Sequence, residues 1–217
     1  MSQGAVGPTA VAPPPVANLA NALTLLRLLL VPVFVLLVLH GDGHEPGWRL
    51  AAWAAFALAT VTDRVDGEVA RRRGTITDIG KIADPIADKA LIGAALVALS
   101  LIGDLAWWVT VVILVREVAI TMLRFVVIRH GVIAASRGGK AKTLAQALAI
   151  GLYLLPLPSV LEPVAAVVMA VAVVLTVVTG LDYVQRAVHL RRTSPRALMI
   201  RERRSARPHG QAGQDPR

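Results

Sequence analysis

Six apolar stretches run between Ala22 and Tyr183, and no other feature narrows the possible folds so sharply. They cover Ala22 to Leu39, Trp48 to Thr62, Ala90 to Gly103, Leu105 to Ile128, Leu144 to Val160, and Pro163 to Tyr183. A helix needs roughly 20 residues to cross a bilayer. The second and third stretches fall short as purely apolar runs. Each reaches spanning length only by taking in polar neighbours, Asp63 to Arg71 for the second and Asp84 to Lys89 for the third. The pattern predicts an all-α integral membrane protein of six transmembrane helices, with carboxylates on helix ends at the membrane boundary.

The rest of the composition agrees. The chain is 55% hydrophobic with a mean hydropathy of +0.62, above the usual range for soluble domains. Its net charge of +9 fits an anionic membrane surface, and with so much apolar sequence nucleic acid is not needed as a partner. There are no cysteines, which excludes disulfides and thiolate ligands, so any metal must be held by carboxylate or histidine. Residues 1–17, with Pro8 and Pro13 to Pro15, read as a disordered segment without the basic start of a secretory signal. Residues 18–190 form the membrane domain, and 191–217 a basic cytoplasmic tail that either touches anionic lipid or has no specific role.

Basic residues set the orientation. With a cytoplasmic N-terminus the outer segments are His40 to Arg49, the turn at Asp104, and Pro156 to Glu162. Of 23 lysines and arginines only Arg49 falls in these segments. Arg71, Arg72, Arg73 and Lys81 lie in the second-to-third connection, and Arg129, Arg137, Lys140 and Lys142 in the fourth-to-fifth. This positive-inside distribution places both termini and the acidic segment in the cytoplasm.

That segment reads VTDRVDGEVARRRGTITDIGKIADPIADKALIG. On a helix Asp63, Asp66, Gly67, Ala70 and Arg71 share one face, which Gly67 and Ala70 leave nearly bare of side chains. Gly80, Asp84 and Asp88 recur every four residues and share another. Asp84 reads as a helix cap with Pro85 in the first turn. Two such helix ends, joined by a loop containing Gly74, can gather four carboxylates. Pairing with Arg64, Arg71 and Lys89 explains one acid at a boundary, but it accounts poorly for four on two coherent faces. Clustered hard oxygen donors suit Mg²⁺, Mn²⁺ or Ca²⁺ rather than zinc, and two such ions can clamp a phosphate ester.

The spacing D-x2-D-G-x2-A-R-x8-G-x3-D-x3-D is met at Asp63, Asp66, Gly67, Ala70, Arg71, Gly80, Asp84 and Asp88. It resembles the signature of the CDP-alcohol phosphatidyltransferase family. The resemblance implies six transmembrane helices, a homodimer, and an active site at the cytoplasmic face of the bacterial plasma membrane. It further implies that Asp63, Asp66 and Asp84 hold divalent metal on the pyrophosphate of CDP-diacylglycerol. Asp88 would complete the metal site and act as general base. Gly67, Ala70, Arg71, Thr77 and Gly80 would contact the CDP-diacylglycerol, with Asn21 and Thr24 on its nucleotide side.

The acceptor is read from elsewhere. Arg116, Glu117 and Arg124 interrupt the fourth stretch and form either an internal ion pair or the wall of a polar cavity. Gly138-Gly139, Lys140, Lys142 and Thr143 suggest a flexible basic loop opening the fifth helix, although topology alone also predicts basic residues there. Asn21-x-Leu23-Thr24-x2-Arg27-x4-Pro32, Arg116-Glu117 with Arg124, and Gly139-Lys140-x-Lys142-Thr143-x2-Gln146 are similar to the branch of the family whose acceptor is glycerol 3-phosphate. That likeness puts Arg116, Arg124, Lys140 and Lys142 near the acceptor phosphate. Arg27 either snorkels or faces the site. Inositol phosphate and phosphatidylglycerol remain competing acceptors. A divalent-cation transporter is the competing class, with acids at one membrane face and no internal repeat against it.

Overall fold

The computed structural model describes the backbone of residues 19–73, 78–127 and 137–193, and the side chains of 22–62, 89–125 and 138–190. The readings for residues 1–17, for Thr77 and for the tail beyond Thr193 lie outside these residues. Among the described residues there are helices and no strand. The α-helices are α1 (Leu19–Leu39), α2 (Pro46–Arg73), α3 (Asp78–Leu101), α4 (Trp107–Val127), α5 (Arg137–Leu154) and α6 (Glu162–Thr193). Short 3-10 turns at His40–Gly43 and Ser159–Leu161 precede α2 and α6.

Each apolar stretch became a helix, and the acidic neighbours of the second and third were drawn into them. At 1.5 Å per residue, the 28 residues of α2 extend about 42 Å, which is longer than the hydrocarbon core. Three local expectations are corrected. The helix α3 begins at Asp78, so Asp84 is no cap and Pro85 lies inside the helix, where it forgoes one backbone hydrogen bond. The helix α5 begins at Arg137, so Gly138 and Gly139 belong to its first turn and Thr143 lies within it. It also stops at Leu154, because Pro156 and Pro158 cannot continue a helix, rather than reaching Val160. At the other end of the domain α6 continues to Thr193, past the expected start of the tail.

Among the described residues two helices, within Ala22–Gly43 and Ser159–Leu190, are long and apolar enough to cross a membrane. Their outward faces carry Leu25, Leu29, Val33 and Leu36 on α1 and Val167, Val171, Val174 and Val178 on α6, all exposed. Apolar surface on this scale is what a helix presents to lipid or to a partner, not to water.

The described residues fall into two units, one within 1–110 and 147–166 and the other within 111–146 and 167–217. In the first, α1 packs against both α2 and α3. Its inner face carries Thr24, Arg27, Phe34 and Val38, and Phe34 meets Phe56 of α2 with ring centroids 5.9 Å apart. The buried hydroxyls of Ser100 and Thr110 join α3 to α4 at 2.7 Å.

The end of α3 is a Schellman motif built on Gly103 at φ +85°. Its N–H donates to Ser100 O at 3.2 Å and the Asp104 N–H to Leu99 O at 3.0 Å. The turn so formed presents Asp104 to Arg49, whose Nη1 donates to Asp104 Oδ2 at 2.6 Å and to Gly43 O at 3.2 Å. Arg49 Nε also donates to Leu154 O at 3.3 Å, and Nη2 to Tyr153 O. One guanidinium thus ties the connections around Gly43 and Asp104 to the end of α5. The first two belong to segments expected on one side of the membrane, and the end of α5 adjoins the third, Pro156 to Glu162.

Candidate active site

The aspartates lie where the sequence spacing required a helix. Asp63, Asp66, Gly67, Ala70 and Arg71 belong to the last turns of α2, and Gly80, Asp84 and Asp88 to the first half of α3. Between Arg73 and Asp78 only residues 74–77 intervene, a length of chain that spans at most about 19 Å. The connection thus limits how far the end of α2 can lie from the start of α3. Their side chains lie outside the described residues, as does that of Asn21. The donor set fits a hard divalent cation: four carboxylates at helical spacing, in a chain without cysteine.

Both described polar residues of α1 turn inward. Thr24 is buried and Arg27 is 1% exposed, on the face that meets α2 and α3, the helices bearing the aspartates. Arg27 therefore does not snorkel to solvent.

The second unit holds the basic residues assigned to an acceptor. Arg116 of α4 reaches α6, donating from Nε to Thr176 O at 3.1 Å and from Nη2 to Thr179 Oγ1 at 2.9 Å. Its Nη1 donates to Glu117 Oε1 at 3.0 Å, and Lys142 of α5 donates to the same carboxylate oxygen. Gln146, one turn after Lys142, donates to Thr176 Oγ1 at 2.9 Å, and that hydroxyl donates in turn to Ala172 O at 2.6 Å.

Arg116 and Lys142 are thus brought together by Glu117, which makes the ion pair real. Lys142 is buried, so it is not the open cation of a flexible loop. Arg124 is placed differently from the other two, with its Cζ 5.9 Å from the centroid of the Tyr183 ring. Lys140 is exposed in the first turn of α5. The α6 contribution, from Thr176, Thr179 and Gly180, was not foreseen. Its signal was there in Thr-x2-Thr-Gly, the one polar and small interruption in the run from Val164 to Leu181.

Residues 17–178 match the family model for CDP-alcohol phosphatidyltransferase. The chain belongs to that family. It is 60% identical over 172 residues, 79% of its length and 82% of the relative, to a probable phosphatidylglycerophosphate synthase of Mycobacterium tuberculosis. It is 40% identical over 179 residues, 76% of its length and 93% of the relative, to a CDP-diacylglycerol–glycerol-3-phosphate 3-phosphatidyltransferase of Bacillus subtilis. A protein of the same name from Shigella flexneri is 37% identical over 177 residues, 78% of this chain and 94% of the relative. Family membership sets the transporter reading aside: this is a transferase of phospholipid synthesis embedded in a membrane.

Proposed function

We propose that this chain transfers the phosphatidyl group of CDP-diacylglycerol to glycerol 3-phosphate, giving phosphatidylglycerophosphate and CMP. The observation that carries the chemistry is the set of four aspartates at helical spacing on the adjoining ends of α2 and α3. The acceptor rests on the relatives' likeness and on the cationic residues Arg116, Arg124, Lys140 and Lys142, suited to a phosphomonoester.

In this reading Asp63, Asp66, Asp84 and Asp88 hold Mg²⁺ or Mn²⁺, in two sites. When bound, the metal neutralises diphosphate charge and makes CMP a better leaving group. Gly67, Ala70 and Gly80 leave room for the nucleotide beside the helices, while Asn21, Thr24, Arg71 and Thr77 contact CDP-diacylglycerol. Asp88 accepts the proton of the acceptor's primary hydroxyl as its oxygen attacks the phosphatidyl phosphorus. The bond from that phosphorus to the CMP oxygen breaks, and CMP departs with the electron pair. The basic residues orient the acceptor by its phosphate.

We place six helices across the membrane in a homodimer, with the aspartates and both termini cytoplasmic. The distribution of lysine and arginine supports this orientation, and so does the joining of two connections to the end of α5 by Arg49 in the first unit. The test is reconstitution in detergent with CDP-diacylglycerol, labelled glycerol 3-phosphate and Mg²⁺ or Mn²⁺. Label should enter the lipid phase in step with CMP release and stop with EDTA. Label that stays in water with metal present contradicts the proposal.

A further inference from the structure

Arg116 is held by α6 in a way that the sequence of α6 makes possible. A guanidinium has five N–H donors in a planar fork. At Arg116 the Nε donor goes to Thr176 O, one Nη2 donor to Thr179 Oγ1 and one Nη1 donor to Glu117. With no other partner among the described residues, each terminal nitrogen keeps one N–H uncommitted. That leaves a donor on each arm of the fork, the pattern by which arginine grips an anion with two oxygens.

Gly180 leaves room for this hold. A helical side chain covers the turn before its own Cα. At position 180 it would lie over the carbonyl of Thr176, which Arg116 uses. A β-carbon built on Gly180 comes within 3.2 Å of both Cγ and Nε of Arg116. The glycine therefore opens a channel along α6 in which the arginine lies. Thr179 fixes the far end of the guanidinium, its hydroxyl donating to Leu175 O at 2.6 Å and accepting from Arg116. Gln146 braces the same turn through Thr176 Oγ1.

We propose that Gly180 and Thr179 are positioning residues for acceptor recognition, holding Arg116 so that its two remaining donors receive a phosphomonoester dianion. The inference rests on the acceptor reading above and extends it to α6. Neither residue touches the acceptor, and both act through Arg116.

The experiment compares wild type, Gly180→Ala, Thr179→Val and Thr179→Ser by two readouts. The first is thermal stabilisation of the full chain by glycerol 3-phosphate, inositol phosphate and inorganic phosphate. The second is turnover as a function of glycerol 3-phosphate and CDP-diacylglycerol separately. Gly180→Ala and Thr179→Val are expected to weaken phosphomonoester binding and raise KM for the acceptor about tenfold, the loss of one hydrogen bond to a charged group. KM for CDP-diacylglycerol and kcat at saturating acceptor should hold, and Thr179→Ser should retain wild-type values. Equal phosphomonoester binding in all four proteins overturns the proposal, as does no binding by wild type. So does a fall in kcat with both KM values rising together, which marks a general packing defect. If wild type binds phosphomonoesters and Gly180→Ala weakens them, but only inositol phosphate is turned over, the positioning role stands and the choice of acceptor fails.

Discussion

Arg49 donates to Asp104 at 2.6 Å, and the pair joins the start of α2 to the turn between α3 and α4. The side chains are 12% and 21% exposed, so the pair is screened by water only in part. Arg49 also satisfies carbonyls at Gly43, Tyr153 and Leu154. Breaking a part-buried pair by removing one partner costs less than the roughly 3 kcal/mol of a fully buried one, but leaves the other charge and three carbonyls without their donor. Arg49→Ala should therefore lower the Tm in detergent clearly, and Arg49→Lys should rescue little, because an ammonium cannot reach all four acceptors. Asp63 lies about 21 Å further along α2, so turnover per folded molecule should be unchanged. A loss of kcat at full folded fraction would mean that the pair does more than hold the connections.

The aspartates make a sharper prediction. Asp63→Asn, Asp66→Asn and Asp84→Asn should each lower kcat on the order of a thousandfold, as expected when one electrostatic stabiliser of a charged transition state is removed. They should also raise the Mg²⁺ or Mn²⁺ concentration needed for half-maximal rate. Asp88→Asn should lose about 10²–10⁴-fold in rate even at saturating metal, the usual contribution of a general base. Full turnover by Asp88→Asn would remove it from proton transfer.

Orientation is open to direct labelling because the chain has no cysteine. Gly47 is exposed, and a β-carbon there meets nothing within 4 Å, so Gly47→Cys should fold normally. In intact cells an impermeant maleimide should label Gly47→Cys. It should label Lys140→Cys only after permeabilisation. The opposite pattern would invert the topology.

Glu117 serves both Arg116 and Lys142. Glu117→Gln should destabilise the protein, since the carboxylate pairs with the buried lysine. Lys142→Met should recover part of that loss when combined with it. The coupling should be on the order of 1–3 kcal/mol by denaturation of the two single variants and the double. Strict additivity would mean that the two side chains do not depend on each other.

Much of the helical order could be read from the chain because long apolar stretches announce themselves, and among the described residues two of the helices are long and apolar enough to cross a membrane. Helical spacing likewise let Asp63 and Asp66, and then Asp84 and Asp88, be grouped on faces before any fold was known. Helix starts were less legible. Asp84-Pro85 carries a cap-like pattern, yet α3 begins at Asp78, since the local signal is weaker than continued helix in a protein whose backbone must be satisfied internally. The same holds for Gly138-Gly139, which looks like a hinge and lies in the first turn of α5. The role of α6 was hidden for another reason. A threonine, a threonine and a glycine in a valine-rich helix acquire meaning only when Arg116 is laid against them. Arg27 shows the converse, since its burial against α2 and α3 could not be read from the sequence, which left exposure equally open.

The most direct test of the central claim is an acceptor panel. Purified protein with CDP-diacylglycerol and Mg²⁺ or Mn²⁺ is given glycerol 3-phosphate, inositol phosphate or phosphatidylglycerol at equal concentration, and CMP release is measured for each. The account predicts rapid release with glycerol 3-phosphate, accompanied by phosphatidylglycerophosphate, and little with the other two. Preference for inositol phosphate or phosphatidylglycerol would contradict it.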